Sequence, residues 1–317
     1  MKLKVLLISH KFYDYHNVIK DGIERLGYDC DGYCFANGFL YRLFLHIPYC
    51  EKISKKIREN HFRRHIPKYA NPYDFVIVVR GSALSVKNHE LLRQLNPSSK
   101  FSLYIWDDIA YDVEELAIRH FYDKVFSYNP QECKKYGMIF RPMFYDNSID
   151  NGGLNKDIDI FYIGTSRSNR ADFMDRIVEN TKSYGLKYKI IIRSNLYRFL
   201  IDRKKVHHWR YSNFRNVSYY EMFTYLKRSV CSVELCPQGQ EALTTRAFEA
   251  LYTKTKIITT NRSISQYDFY NPSNVLIVDE ENPVIPVEWI QEPFCEIEKS
   301  VLDKYSLDVF CRELLSF

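Results

Sequence analysis

Apolar runs and amphipathic segments alternate along the chain. Residues 2–9, KLKVLLIS, are continuous, branched and apolar, the pattern of a parallel strand covered on both faces. After the polar loop HKFYDYH, the segment NVIKDGIERLG sets Val18, Ile19, Ile23 and Leu26 on one helical side and stops at Gly27. YDCDGYCF (28–35) reads as a second strand, and DFVIVVRG (74–81) as another, followed by the helix KNHELLRQL. KFSLYIWDD (100–108) and KVFSYN (124–129) continue the series. Strands separated by helices predict an α/β domain on a mostly parallel sheet.

The stretch RPMFYDNSIDNGGLNKD (141–157) interrupts the rhythm. Its Pro142, Gly152, Gly153 and several Asn and Asp residues mark a linker. The alternation then restarts with the strand IDIFYIG (158–164), the loop TSRSNR and the helix ADFMDRIVENTKSYG. LKYKIIIRS (strand), SYYEMFTYLKRS (helix), VCSVEL (strand), EALTTRAFEALY (helix) and TKIITTN (strand) follow, with NVLIVD as the last strand and a helical tail from residue 296. The expected architecture is α/β, with two Rossmann-like domains at 1–145 and 146–300 and a C-terminal helix at 301–317 free to pack back on the first. Ligands of open parallel sheets sit beyond the carboxyl ends of the strands. Two such domains facing each other would place the site in the cleft between them.

A chain of 317 residues suits two domains of ordinary size. At 46% hydrophobic and 26% charged it is too apolar to be disordered. The net charge of +6 is a modest surplus that fits an anionic ligand or an anionic surface. Eight cysteines are scattered without a CxxC pair, which reads as free, mostly buried thiols in a reducing compartment. The apolar run in MKLKVLLISHKF is too short for a secretory signal, and no run approaches the ~20 apolar residues of a membrane helix. A cytoplasmic location is expected.

Two segments carry candidate chemistry. Gly164, Thr165, Ser166, Arg167 and Arg170 end a strand and begin a helix, where amides, hydroxyls and guanidinium groups suit an anion. A simple N-cap with surface arginines is the bland alternative. The second is PQGQEALTTRAFEALYTKTKIITTN (237–261), with Gln240, Glu241, Thr245, Arg246 and Glu249. Taken as one helix, Glu241 and Glu249 fall within roughly 80° of each other, and Arg246 neighbours Glu249. An exposed helix with one ion pair is the ordinary explanation. Against it stands the position, after a Gly-containing turn at the carboxyl end of a buried strand.

Two Rossmann-like domains with a Glu-x7-Glu segment near the start of a late helix resemble glycosyltransferases of the GT-B fold. GQEALTTRAFEALYTKTKIITT is similar to that superfamily's donor-binding stretch. DIFYIGTSRSNRADF and RAFEAL look closest to CgeB-like and family 1-type bacterial transferases of capsule, lipopolysaccharide or spore-coat glycans. The likeness covers residues 157–279 best. It implies that Glu249 binds the ribose hydroxyls of a sugar nucleotide, that Glu241 lies near the donor sugar, and that Arg246 or Arg167 neutralises the diphosphate. Two departures stand out: ALTTR replaces the usual Gly-Phe-Gly, and YTKTKIIT lacks the Ala-x-Gly-x-Pro turn. The leaving diphosphate needs its charge stabilised, which such enzymes do with basic groups and helix ends. No Asp-x-Asp ends a strand in this half, since DIDI (157–160) opens one, so no cofactor and no metal are expected.

The first domain would bind the acceptor. His10, followed by Lys11, Asp14 and His16, and the pair Asp107 and Asp108 are candidates for the base that takes the acceptor proton. Trp106 could stack on a sugar, with Arg80 and Gly81 on the same rim. Polar surface, an N-cap and a buried Trp are the bland readings, and the stereochemistry stays open. Residues 39–69 and 203–215 mix basic and aromatic side chains, which suits peripheral contact with a membrane or a lipid-linked acceptor. Adjacent His207 and His208 cannot share one metal from a regular helix, and the cysteines form no zinc set. A sugar-nucleotide 2-epimerase of the same fold and a non-catalytic basic binding protein are the alternatives. No nucleic-acid partner is expected in the absence of a helix-turn-helix, zinc-finger or RNP signature.

Overall fold

The computed structural model describes residues 2–10, 14–35, 51–70, 73–166, 169–194, 210–236 and 241–317. It divides into two compact units, Met1–Pro142 with Ser306–Phe317, and Met143–Tyr305.

Unit 1 holds a six-stranded sheet of order β2-β1-β3-β4-β5-β6, with every pairing parallel. The strands are β1 (Lys4–His10), β2 (Asp29–Phe35), β3 (Phe75–Val79), β4 (Lys100–Ile105), β5 (Lys124–Ser127) and β6 (Ile139–Phe140). Helices α1 (Tyr15–Arg25), α2 (Glu51–His65), α3 (Val86–Leu95), α4 (Glu114–Ile118) and α5 (Pro130–Tyr136) intervene. Successive strand residues face opposite ways. Leu6 and Ile8 therefore join Val76, Val78, Leu103 and Ile105 in a core with Phe62 of α2, Leu92 of α3 and Ile118 of α4. Val5 and Leu7, on the other face, are equally buried. That double burial is why these strands read as unbroken apolar runs.

The chain's last helix, α11 (Leu307–Leu314), belongs to unit 1 and packs on α1. Cys311 Sγ lies 3.7 Å from the Ile19 carbonyl, Arg25 pairs with Asp308 at 2.9 Å, and Ser102 of β4 donates to the Leu314 carbonyl at 2.6 Å. The expected continuous tail helix is broken. α10 (Lys299–Leu302) runs into a 3-10 turn at Asp303–Tyr305, and Ser306 then caps α11 by accepting from Val309 N. A serine hydroxyl that takes an orphan amide starts a new helix rather than continuing an old one.

Unit 2 repeats the plan, with order β12-β11-β10-β7-β8-β9 and parallel pairing throughout. Its strands are β7 (Ile158–Thr165), β8 (Tyr188–Arg193), β9 (Ser212–Asn213), β10 (Ser229–Glu234), β11 (Lys256–Thr259) and β12 (Val275–Ile277). Its helices are α6 (Arg170–Thr181), α7 (Tyr219–Lys227), α8 (Thr245–Tyr252) and α9 (Val287–Gln291), with α10 near its end. Ile160, Ile192, Val233 and Ile258 pack with Phe173, Met174 and Ile177 of α6 and with Ile290 of α9. Phe223 of α7 and Phe248 of α8 are fully covered, the latter stacked on Tyr305 at 4.9 Å.

One expectation needs correction. Residues 241–252 do not form a single helix, because α8 begins only at Thr245 and Thr244 is extended at φ −79°, ψ 164°. The helical-wheel relation between Glu241 and Glu249 therefore does not hold. The second half of the basic-aromatic stretch 39–69 is helix α2, and Phe62 anchors it in the core; residues 39–50 lie outside the described residues. Among the described residues no disulfide forms, and no helix is long and apolar enough to cross a membrane.

Phe310 of α11 is fully buried, edge-on to Tyr104 at 4.8 Å. Phe310→Ala should cost unit 1 about 3–5 kcal/mol in urea denaturation. A loss below about 1 kcal/mol would mean that α11 is not part of that core.

Candidate functional site

The order of each sheet reverses once. In unit 1 the chain runs outward from β1 to β2, then returns to lay β3 on the other side of β1. In unit 2 it runs from β7 through β8 to β9, then lays β10 on the other side of β7. The connections on either side of such a reversal leave over opposite faces, which opens a crevice at the strands' carboxyl ends.

In unit 2 the crevice strands are β7 and β10. Gly164 and Thr165 are the last two residues of β7, and Ser166 follows them ahead of α6. Arg170 turns back over the strand end, donating from Nη1 to the Thr165 carbonyl at 3.0 Å and to its hydroxyl at 3.2 Å. A Cβ on Gly164 would meet that same nitrogen at 2.8 Å and run into the Tyr162 hydroxyl, so a larger residue here would have to displace the ends of both side chains. The Ser166 amide is already taken by the Arg193 carbonyl at 2.8 Å. Asn169, ahead of α6, donates to Glu280 at 2.6 Å. Arg167 and Gln240 lie outside the described residues.

Beyond β10, Asn261 stitches the next strand's loop to this segment by donating to the Glu241 carbonyl at 3.1 Å. Thr245, largely buried, opens α8. Arg246 Nη1 meets Glu249 Oε2 at 2.6 Å and contacts the Met222 sulfur. Glu249 is fully covered. In this state its carboxylate holds Arg246, and a ribose hydroxyl would reach it only by exchange with that pairing. Arg246 itself is 16% exposed.

The structure adds residues that spacing passed over. Glu234, the last residue of β10, accepts from the Thr244 amide at 3.0 Å and from its hydroxyl at 2.8 Å. Burial pushes its carboxyl up against those hydrogen bonds and the Arg246 charge. An acid closing the otherwise apolar run VCSVEL was the available signal, because a buried acid demands a reason.

In unit 1 the crevice strands are β1 and β3. His10 ends β1, edge-on to Phe35 at 6.0 Å, and Ser9 Oγ lies 2.6 Å from His16 Nδ1. Arg80, just past β3, has a left-handed backbone (φ 60°), which a side chain of its kind adopts at a cost of order 1–3 kcal/mol. Its Nε faces Asp107 at 3.3 Å and Asp112 at 3.7 Å. The Ser82 hydroxyl donates to Asp112, and the Ser82 amide to Glu115 Oε1 at 3.1 Å. The two sequence-nominated carboxylates part ways here. Asp107 stays at the surface beside Arg80. Asp108 turns inward and accepts from Tyr128 at 2.8 Å and Asn129 at 2.9 Å. Trp106 packs at 5.4 Å from Tyr15 and 5.9 Å from Tyr104. Among the described residues no group of three or more His, Cys, Asp or Glu is placed to hold a metal ion.

Two parallel Rossmann-like units of this order define the GT-B fold. Solved structures of that fold superpose over nearly the whole chain. Sucrose-phosphate synthase from Thermosynechococcus elongatus gives a TM-score of 0.60 at 14% identity, covering 99% of this chain and 94% of that one. A glycosyltransferase from Rickettsia africae gives 0.59 at 12%, covering 99% and 97%. A UDP-GlcNAc 2-epimerase from Neisseria meningitidis, bound to UDP-GlcNAc, gives 0.56 at 8%, covering 99% and 98%. At such identities the likeness is one of fold. No protein-family model matches the sequence, and no curated protein sequence does.

Burial pushes the Glu115 carboxyl from 4.5 up to about 8. Between those values the folded chain keeps a proton that the unfolded chain has lost, so stability falls as pH rises through that window. Glu115→Gln keeps an acceptor for Ser82 and removes the titration. Its melting temperature should exceed the wild type's at about pH 8.5 and match it near pH 5. An equal gain at both pH values would refute the neutral-acid account of Glu115.

Proposed function

We propose that the chain is a glycosyltransferase of the hexosyltransferase kind. It moves a sugar from a nucleotide-activated donor to a glycan or lipid-linked acceptor of bacterial capsule, lipopolysaccharide or related surface polysaccharide. One observation carries the reading. The described residues of the two segments nominated for donor binding, Gly164–Ser166 with Arg170 and Glu241–Glu249, lie at or just past the carboxyl ends of the two strands that flank the order reversal of unit 2. The fold shared with sugar-transferring enzymes supports it at the level of architecture.

The leaving group is a nucleoside diphosphate, and catalysis requires countercharge where its negative charge grows. Arg246, the first-turn amides of α8 and Arg170 offer that countercharge. Glu249 holds Arg246 in place through the ion pair. The donor is substrate, not cofactor, and we expect turnover to survive chelation by EDTA. On unit 1, Asp107 is the carboxylate left at the carboxyl edge for taking the acceptor's hydroxyl proton, with Arg80 beside it. We expect the enzyme to work in the cytoplasm, at the inner face of the membrane when the acceptor is lipid-linked. The epimerase fold-mate favours one second reading, a sugar-nucleotide 2-epimerase. That enzyme would form product from the donor alone, whereas a transferase needs an acceptor.

Titration calorimetry with UDP-, GDP-, CMP- and dTDP-sugars tests the reading, and one nucleotide class should bind. Arg246→Ala should weaken that binding by about tenfold or more, the worth of a charge-assisted hydrogen bond. If no nucleotide sugar binds, the donor reading falls. If Glu249→Ala binds as tightly as the wild type, Glu249 has neither a ribose role nor an Arg246-holding role.

A further inference from the structure

Glu234 stands at the end of β10 and is only 6% exposed. Its two oxygens are treated unequally. Oε1 accepts two hydrogen bonds, both from Thr244. Oε2 is screened from water and makes none. An ionised carboxylate in an apolar interior needs donors at both oxygens. A protonated acid brings an O–H that also wants a partner, but leaving that dipole unpaired costs far less than leaving a full charge unpaired. With Oε2 buried and unpaired among the described residues, the neutral acid is the less costly form of Glu234. Arg246 of α8 and Tyr267, beyond β11, are the ionisable groups whose charge couples to it. The Tyr267 hydroxyl lies near the Leu243 amide without a hydrogen bond of normal geometry. Burial outweighs the Thr244 bonds and Arg246 and pushes the carboxyl up.

The bond has a consequence for α8. Thr244 occupies the N-cap position, its hydroxyl donates to Glu234, and its oxygen accepts from none of the first-turn amides. The Ala247 amide turns back to the Thr244 carbonyl, while the Thr245 and Arg246 amides ahead of it are first-turn donors of the kind that favour an anion. A charged Glu234 beside them would oppose an anion. A neutral one holds the backbone in the same place without that repulsion.

We propose that Glu234 is a positioning residue for the donor diphosphate, acting through Thr244 as a neutral acid, so that diphosphate binding takes up a proton wherever Glu234 is ionised in the free protein. The proposal rests on the donor reading of unit 2. The probe is the nucleotide sugar that binds most tightly in the panel above, whose diphosphate is esterified at both ends and does not itself titrate near neutrality. Calorimetry between about pH 5.5 and 8.5, in two buffers of different ionisation heat, counts the protons. Wild-type affinity should fall with rising pH, by up to about tenfold per unit, with net proton uptake. Glu234→Gln keeps the acceptor for Thr244 and cannot ionise. It should lose both the slope and the uptake, and bind at least as well as the wild type at the alkaline end. Glu234→Ala, without the Thr244 anchor, should bind more weakly at every pH.

The proposal is overturned if Glu234→Gln keeps the wild-type slope and proton count, or if it binds as poorly as Glu234→Ala. A second measurement separates this failure from that of the donor reading. Glu234→Gln should raise the melting temperature more at the alkaline end than at the acid end. If the wild type binds no nucleotide sugar, the donor reading falls and the coupling with it. If the pH-dependent melting gain is also missing, the neutral-acid assignment falls as well.

Discussion

Parallel pairing on both sides of one strand is the constraint from which the rest follows. β7 pairs with β8 on one edge and β10 on the other, and β1 sits in the same way between β2 and β3. Parallel neighbours must be joined by crossovers over a face of the sheet, and those crossovers are right-handed. A chain that builds outward from a strand and then returns to its other side must change faces there. Gly164–Ser166 with Arg170, Glu234 and Glu241–Glu249 in unit 2 stand at adjacent strand ends because of this pairing. So do His10 and Arg80 in unit 1.

What was legible in the sequence follows from the same burial. Strands covered on both faces appear as unbroken apolar runs, which made KVLLISH, FVIVV and IDIFYIGT readable without any partner. β6 and β9 have two residues each at sheet edges, and such short pieces carry no period to detect. The segment Glu241–Thr244 was misread for a different reason. Its local preference is helical, but Thr244 is held extended by a carboxylate ten positions earlier, and local propensity carries no information about such a bond. The same contact explains why Glu234 escaped notice. A single acid at the end of an apolar run looks like the edge of a strand until its partner is known.

The two units meet the problem of the strand end in a similar way. Glu115 in unit 1 accepts the amide of Ser82, in the turn after β3. Glu234 in unit 2 accepts the amide of Thr244, just ahead of α8. Each acid is buried, each is pushed toward its neutral form by that burial, and each leaves its second oxygen without a hydrogen bond among the described residues. A neutral acid fixes backbone as firmly as a hydroxyl cap would, and it adds no charge to the edge where ligands of such sheets arrive.

Charge placement at that edge then sorts the acids of unit 2. Glu249 is charge-matched by Arg246 at 2.6 Å and fully covered, so its carboxylate sets the direction of the guanidinium. Among the described residues Glu234 has no such salt bridge, and its hydrogen bonds come from neutral groups. A diphosphate arriving at α8 would draw on Arg246 and thereby loosen the Arg246–Glu249 pair. On the donor reading proposed above, Glu249 would then be released to accept a hydroxyl from the rest of the ligand. On that reading the ion pair and the ribose contact would be alternative states of Glu249, exchanged through the Arg246 guanidinium. That exchange would depend on charge, because a neutral Glu234 adds no second negative charge to the one that Glu249 already places on Arg246.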